Sequence, residues 1–290
     1  WRPPHPIPAH RRSFPRPGPA CAAVAGPADR ASVHRVRVRF ATLGSGSRGN
    51  ATLVESESTR LLVDNGFSLR ELERRLARLG VEPQGIEALL LTHEHADHAK
   101  GVAAFAARYG ATVWTTPGTW KAVGAPEVPR LRLFSGHAGG VSIGDLKVFP
   151  YPVPHDAREP VQFVFECAGG RLGMLTDSGS VTPHMRSMLG DCDALILECN
   201  HDVDLLRSGN YPPALRRRVG GSQGHLSNDQ AADLLDSLPI AGLRHLLMAH
   251  VSEKNNRPDL VWDAVRGVSE SLAQRARLAH QDCPGPWTGA

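Results

Sequence analysis

The chain has 290 residues, 41% hydrophobic and 21% charged, which suits a globular protein with room for a sizeable core. No apolar run approaches the roughly 18 residues of a membrane span, so neither a membrane span nor a membrane partner is expected. The net charge of +4 is uneven: residues 1–40 hold eight arginines and one acid, a net +7, while residues 41–290 are −3, so bulk charge gives no case for a body that coats nucleic acid.

Residues 1–35 are rich in Pro and Arg and lack apolar periodicity. They read as a disordered basic arm, dispensable for turnover. Residues 36–280 read as one folded domain and 281–290 as a flexible tail. "VRVRFATLG" alternates like a strand and "GSGSRGN" is a Gly/Ser turn, equally suited to a tight turn or to offering backbone N–H groups and Arg48 to a phosphate. "ATLVES" and "RLLVDNG" read as a hairpin. Leu69, Leu72, Leu76 and Leu79 make a helical stripe closed by Gly80. A buried strand "IEALLLTH" leads to a helix over 99–110, the strand "ATVWTT" and a helix over 117–123. The second half repeats the idiom. "GVSIGDLKVFPYPV" reads as strand, turn, strand, and "VQFVFECAGGRLGMLTD" as a hairpin turning at Gly169–Gly170. A helix over 182–190 precedes the strand "DALILECN". "SNDQAADLLDSL" is a helix capped by Ser227 or Asn228, "LRHLLMAHVS" a strand, and "DLVWDAVRGVSESLAQRARLA" one C-terminal helix. Strands followed by βα units, twice over, predict an α/β fold: a four-layer αβ/βα sandwich of two mixed β-sheets with helices outside. Of five cysteines (21, 167, 192, 199, 283), none forms a CxxC pair. Cys192 and Cys199 flank an apolar run and read as buried thiols of a reducing compartment.

"THEHADH" (92–98) crowds His93, His95, Asp97 and His98 at the C-terminal end of a strand, a usual place for sites in α/β proteins. His93 and His95, two apart, share a face of extended chain, and a turn can swing Asp97 and His98 to the other side. That spacing supports two cation sites rather than one.

HxHxDH at a strand end resembles the metallo-β-lactamase-fold superfamily. The resemblance implies a later His, Asp and His, and the chain supplies His155 in "PVPHDA", Asp177 in "GMLTDSG" and His250 in "LLMAHVS". It implies that His93, His95 and His155 hold one metal, that Asp97, His98 and His250 hold a second, and that Asp177 bridges them. Zn²⁺, Mn²⁺ and Fe²⁺ all suit such donors. Two such ions act on a shared water, giving hydrolysis with a metal-bridging hydroxide as nucleophile. Asp64 in "LLVDNG" matches an aspartate that orients the ligand loop through hydrogen bonds. "FATLGSGSRGNATLVES", "LLVDNGFS", "TDSG", "LILECNHD", "GHLSN" and "AHVSEKNN" together resemble the YycJ/WalJ type, over residues 38–268. Members of that type are dinuclear-metal 5′→3′ DNA exonucleases. The implied function is phosphodiester hydrolysis on a DNA substrate in the cytoplasm, with hydrolysis of a small thioester, lactone or cyclic phosphodiester as the alternative. His225 of "GHLSN" reads as a catalytic group at the rim or as a residue before a helix cap. Glu198 and Asn200, with His201 beside them, read as supporting or substrate-facing groups. His137 and His184 read as surface residues. "LRRRVGG" (215–221) is a candidate local basic groove. The oligomeric state stays open, a homodimer being one option.

Overall fold

The computed structural model describes residues 38–137 and 139–290. The expected arm over 1–35 lies outside the described residues. Two seven-stranded sheets are present. The first comprises β1 (Arg39–Gly44), β2 (Ala51–Glu55), β3 (Arg60–Val63), β4 (Ala88–Leu90), β5 (Thr112–Thr115) and β6 (Leu131–Leu133), with β14 (Thr288–Gly289) on the edge beside β1. The second comprises β7 (Val141–Ile143), β8 (Leu146–Pro152), β9 (Val161–Cys167), β10 (Gly170–Leu175), β11 (Ala194–Glu198), β12 (His245–Ala249) and β13 (Ala276–Leu278), joined in the order 13-12-11-10-9-8-7. Each sheet is antiparallel in one half and parallel in the other. The expected pair of mixed sheets is therefore present.

Alternation along the strands explains the layers. Phe40, Val54, Leu61, Val63 and Leu90 of the first sheet meet Val148, Phe163, Phe165, Met174 and Ile196 of the second in one central core. The opposite faces carry Leu43, Leu53, Leu62 and Leu89, which receive Leu72, Leu76 and Phe105 from helices. Strand residues two apart point to opposite faces, so both faces of these central strands are apolar and buried. Burying a leucine fully contributes about 1.5–3 kcal/mol, so strands such as β4, with all three residues buried, are pinned from both sides. The two sheets are also tied at the end remote from the ligand loops: Ser56 Oγ donates to Asp145 Oδ1 at 2.5 Å, linking the β2–β3 turn to the β7–β8 turn.

Three local expectations differ from the structure, and three elements were not expected. The C-terminal helix is not continuous: Pro258–Val268 ends at Ser269, whose extended backbone and hydroxyl cap a second short helix, Glu270–Ala273. Residues Ala276–Leu278 then pair with β12 as a strand. Residues 281–290 are not a loose tail. They cross back to the first sheet, where β14 pairs with β1, the Ala290 N–H donates to the Val38 carbonyl and the Ala290 side chain is buried. Gly101 does not lie inside a helix; it caps Val102–Tyr109 after a separate turn, Ala96–Ala99. Helices Val203–Ser208 and Pro213–Val219 and strand β6 lack the periodicity that would announce them. No helix among the described residues is long and apolar enough to cross a membrane.

Candidate metal centre

The chemistry-bearing residues gather where strands end. Asp64 follows β3, the 93–98 loop follows β4, His155 follows β8, Asp177 follows β10, Glu198 closes β11, and His250 follows β12. The chain therefore brings all seven predicted donors to one edge of the sandwich, from both sheets. Asp64, Asp177 and His250 adopt left-handed φ of 59°, 54° and 52°. Non-glycine residues pay strain there and persist in it only where surrounding contacts over-determine them.

The 93–98 loop is held by close backbone approach. The Asn50 N–H donates to the Asp97 carbonyl at 2.7 Å, and the Gly66 N–H to the Asn50 carbonyl at 3.0 Å. A Cβ on Gly66 would lie 1.9 Å from the Asp97 carbonyl oxygen, so only glycine fits. Asp64 is buried and accepts from the Thr92 N–H at 2.8 Å, from the Thr92 hydroxyl, and from His98 Nδ1 at 2.8 Å.

Three donor nitrogens converge first. His93 Nε2 and His155 Nε2 lie 3.1 and 3.2 Å from His95 Nδ1. That is the spacing expected of nitrogens each about 2.0–2.1 Å from one shared cation. A second group joins Asp97, His98 and His250, and His98 Nε2 lies 3.6 Å from Asp97 Oδ2. Asp177 stands between the two, its Oδ2 3.3 Å from His98 Nε2 and its Oδ1 3.3 Å from His250 Nδ1. The same side chain belongs with His93 and His98 in one candidate set and with His225 and His250 in another.

The imidazoles are held from behind. His93 Nδ1 meets the Thr92 hydroxyl at 2.9 Å, His155 Nδ1 the Gly224 carbonyl at 3.0 Å, His98 Nδ1 Asp64, and His250 Nδ1 Glu198 at 2.9 Å. Occupying Nδ1 in this way fixes the tautomer and leaves the Nε2 lone pair for a cation. Asp177 Oδ2 and His250 Nε2 are buried without hydrogen-bond partners. Buried polar atoms are rarely left so. Together these features fit divalent metal ions.

Electrostatics say the same. Burial opposes charge on His98 and His250, but Asp177, with Asp64 beside His98 and Glu198 beside His250, overrides it and raises both, His250 to about 10. Burial holds His93 and His155 below the usual range, in the neutral form that binds metal. Burial alone would raise Glu198; the His225 and His250 imidazoles outweigh it and bring it to about 2. The site thus gathers carboxylates that call for positive charge.

Glu198 is fully buried and shares one oxygen. Its Oε1 meets His225 Nδ1 at 2.8 Å as well as His250 Nδ1, and its Oε2 accepts from the Ser178 and Leu226 N–H groups at 3.1 and 3.0 Å. His225 is carried to the edge of the donor cluster with its side chain 20% exposed. Asn200 donates to the His250 carbonyl at 2.9 Å, a supporting rather than a substrate-facing place.

The sequence reading missed several contributors. Asn50 Nδ2 lies 3.0 Å from His98 Nε2, and Ser45 Oγ accepts from the His250 N–H at 2.8 Å. Asp156 Oδ1 lies 3.6 Å from His155 Nε2 and 3.9 Å from His95 Nε2. The only signals were an Asn ending a Gly/Ser turn and an acid next to a ligand-type His. Arg48 is drawn to Glu253 at 2.7 Å and Asp282 at 2.9 Å, which supports a structural role for the "GSGSRGN" arginine. His137 and His184 are exposed, as expected. Burial pushes the Cys192 thiol up to about 12, which suits an inert core thiol.

Comparison with known proteins adds three findings. Residues 59–251 match the family model described as beta-lactamase superfamily domain. The chain is 33% identical over 236 residues to "Exodeoxyribonuclease YycJ" of Bacillus anthracis, covering 80% of this chain and 89% of that protein. It is 32% identical over 228 residues to "Exodeoxyribonuclease WalJ" of Streptococcus pneumoniae serotype 2 (strain D39), covering 77% and 84%. Among solved structures, the metallo-beta-lactamase fold protein YhfI from Bacillus subtilis superposes with a TM-score of 0.68 at 16% identity, over 88% of this chain and all of that one, a likeness of fold.

Proposed function

Because the chain belongs to the metallo-β-lactamase-fold superfamily, in its YycJ/WalJ-type group, and is thereby a metal-dependent hydrolase, we propose that it hydrolyses phosphodiester bonds of DNA as an exonuclease with a dinuclear centre. The observation that carries this reading is the sharing of Glu198 Oε1 between His250 and His225. It sets a solvent-reaching imidazole beside a cluster otherwise made of metal donors.

In this reading His93, His95 and His155 would hold one ion and Asp97, His98 and His250 the other, with Asp177 placed to serve both. Zn²⁺ and Mn²⁺ are the candidates. Bound there, the ions supply an acidified water and positive charge against phosphoryl oxygens. The chain supplies the rest. Asp97, with its side chain 25% exposed, accepts the proton of the attacking water. His225, anchored through Nδ1 to Glu198, keeps Nε2 for the substrate and donates a proton to the leaving oxygen. Asp64, Glu198 and Asn200 keep the donors aligned.

The test is a substrate panel with Mn²⁺ and with Zn²⁺: single- and double-stranded 5′-phosphorylated DNA, RNA, bis-p-nitrophenyl phosphate, a cyclic nucleotide, a thioester and a lactone. DNA is expected to be degraded from an end, and His225→Ala to lower kcat about 10²–10⁴-fold without weakening metal binding to the same degree. Efficient turnover of the thioester or lactone with inert DNA refutes the reading.

A further inference from the structure

After β11 the chain forms two short helices, Val203–Ser208 and Pro213–Val219. Residues 203–219 carry Arg207, Arg216, Arg217 and Arg218 against Asp204 alone, a net +3 in a body that is otherwise acidic. The helices border a cleft of about 340 Å³ lined by Val203, Leu206, Arg207, Pro213, Arg216 and Arg217. Val203 is one of two exposed large hydrophobic residues among those described, at 38%. The cleft thus has an apolar floor and a cationic rim.

These arginines are poorly neutralised. The Arg217 side chain has no ion-pair or hydrogen-bond partner among the described residues. Arg207 has only Asp204, in a pair whose side chains are 75% and 87% exposed, and such pairs contribute little. An Arg216 guanidinium nitrogen donates to the Arg207 carbonyl, which locks one helix on the other. The row also has a direction. Arg218, at the last turn, pairs with Asp156, whose other oxygen lies 3.6 Å from His155 Nε2. The helix then feeds the loop that offers the Gly224 carbonyl to His155 and presents His225, whose N–H donates to the Val219 carbonyl at 2.9 Å. A cationic row that begins in a half-apolar cleft and ends at the donor cluster matches a polyanion led to that cluster.

We propose that helices Val203–Ser208 and Pro213–Val219 form the track along which the DNA backbone enters the metal centre. Phosphates beyond the scissile bond pair with Arg207 and Arg217, a sugar and base edge rest on Val203 and Pro213 above the buried Leu206, and Arg218 marks the end nearest the ions. The inference deepens the nuclease reading and relies on it to name the ligand.

The experiment separates binding from cleavage. Binding of fluorescein-labelled single-stranded and duplex DNA to the metal-loaded protein is followed by anisotropy across a salt series, for the wild type, Arg207→Ala/Arg217→Ala and Arg217→Lys. Each lost phosphate contact is expected to lower the slope of log affinity against log salt by about 0.7–0.9. The double alanine variant therefore loses about 1.4–1.8 from the slope and binds DNA at least about tenfold more weakly at low salt. Arg217→Lys, which keeps the charge, retains most of the slope, and Arg266→Ala, on helix Pro258–Val268 and outside the cleft lining, behaves as wild type. An unchanged slope and affinity in the double variant overturns the track, as does a wild type that does not bind DNA at low salt. DNA that binds through these arginines but is never cut leaves the track standing and overturns the nuclease reading instead.

Discussion

Asp64→Asn probes the ligand loop with little change of shape. Asparagine tolerates the left-handed backbone at this position, φ 59°, about as well as any non-glycine residue. The substitution therefore leaves the turn intact and alters only charge and hydrogen bonding. The wild-type carboxylate accepts from the Thr92 N–H, the Thr92 hydroxyl and His98 Nδ1. An amide can keep its oxygen on the Thr92 N–H, but its NH₂ must then face His98 Nδ1. A neutral His98 responds by moving its proton to Nε2, the atom that lies 3.3 Å from Asp177 Oδ2 and 3.6 Å from Asp97 Oδ2. A protonated Nε2 cannot bind a cation. Loss of such an orienting carboxylate typically weakens metal binding about 10–100-fold, or about 1.4–2.7 kcal/mol. Stability should move less. Burial raises the Asp64 carboxyl, so removing that buried charge offsets part of the lost hydrogen bonding. Asp64→Ala differs: it loses the short polar side chain that eases the left-handed backbone and strands the Thr92 N–H at about 1–3 kcal/mol. Chelator-competition titration gives metal affinity, and thermal unfolding of the chelated protein gives stability. The reasoning fails if Asp64→Asn binds metal like the wild type, or if the chelated Asn and Ala variants are equally destabilised.

Gly66→Ala should destabilise by the upper end of about 1–3 kcal/mol, because its Cβ meets the Asp97 carbonyl oxygen at 1.9 Å; urea unfolding checks this, and a wild-type midpoint contradicts it. Asp97→Ala should keep the chelated protein's melting temperature but lower hydrolysis at least about 100-fold, and near-normal turnover sinks its catalytic role. Saturating Mn²⁺ or Zn²⁺ should raise the melting temperature, by about 2.7 kcal/mol of stability at a hundred-fold excess over Kd, and calorimetry with and without chelator should show it. Burial opposes the low pKa of Asp145, about 2, but hydrogen bonds from Ser56 and Thr59 prevail. A depressed carboxylate stabilises the fold above its unfolded pKa and loses that contribution as pH falls towards about 2. Ser56→Ala should move the Asp145 titration up towards 3.8, read by NMR, with a smaller acid-range stability loss than wild type; an unmoved titration refutes the coupling.

The candidate site was legible where chemistry is concentrated in sequence. His93, His95, Asp97 and His98 share one loop, and a strand-end Asp or His such as Asp177 or His250 stands out against its apolar run. Glu198 was visible as an acid closing a fully apolar strand. Asn50 and Ser45 were not, because each acts across long sequence separation, Ser45 on a residue 205 positions away; Asp156 was not, because an acid beside a histidine is a weak signal until the fold brings it to His95 as well. Helix Pro213–Val219 was hidden because a proline start and three arginines leave only Leu215 and Val219 to mark a face, and none of its residues is buried. The strand at residues 276–278 was read as helix because three residues are too few to show alternation against the helical pattern before them. The tail misled because its two-residue strand is held by pairing with β1 and by burial of Ala290, neither of which has a local signature.

The left-handed residues show what the sequence pattern left out. Asp64, Asp177 and His250 directly follow β3 or stand one or two residues after parallel strands, and all three have φ between 52° and 59°. Glycine would adopt that backbone without strain, but it would bring no donor. At Asp64 and His250 the chain keeps a ligand-type side chain and lets neighbours hold the turn: the Leu90 carbonyl and Thr92 for Asp64, and Ser45 and Asn200 for His250. Residues from two separate sheets can then meet over one small volume. Strain at these three positions accompanies the meeting of the candidate donors, and a Gly substitution would relieve it only by removing the side chain that each turn presents.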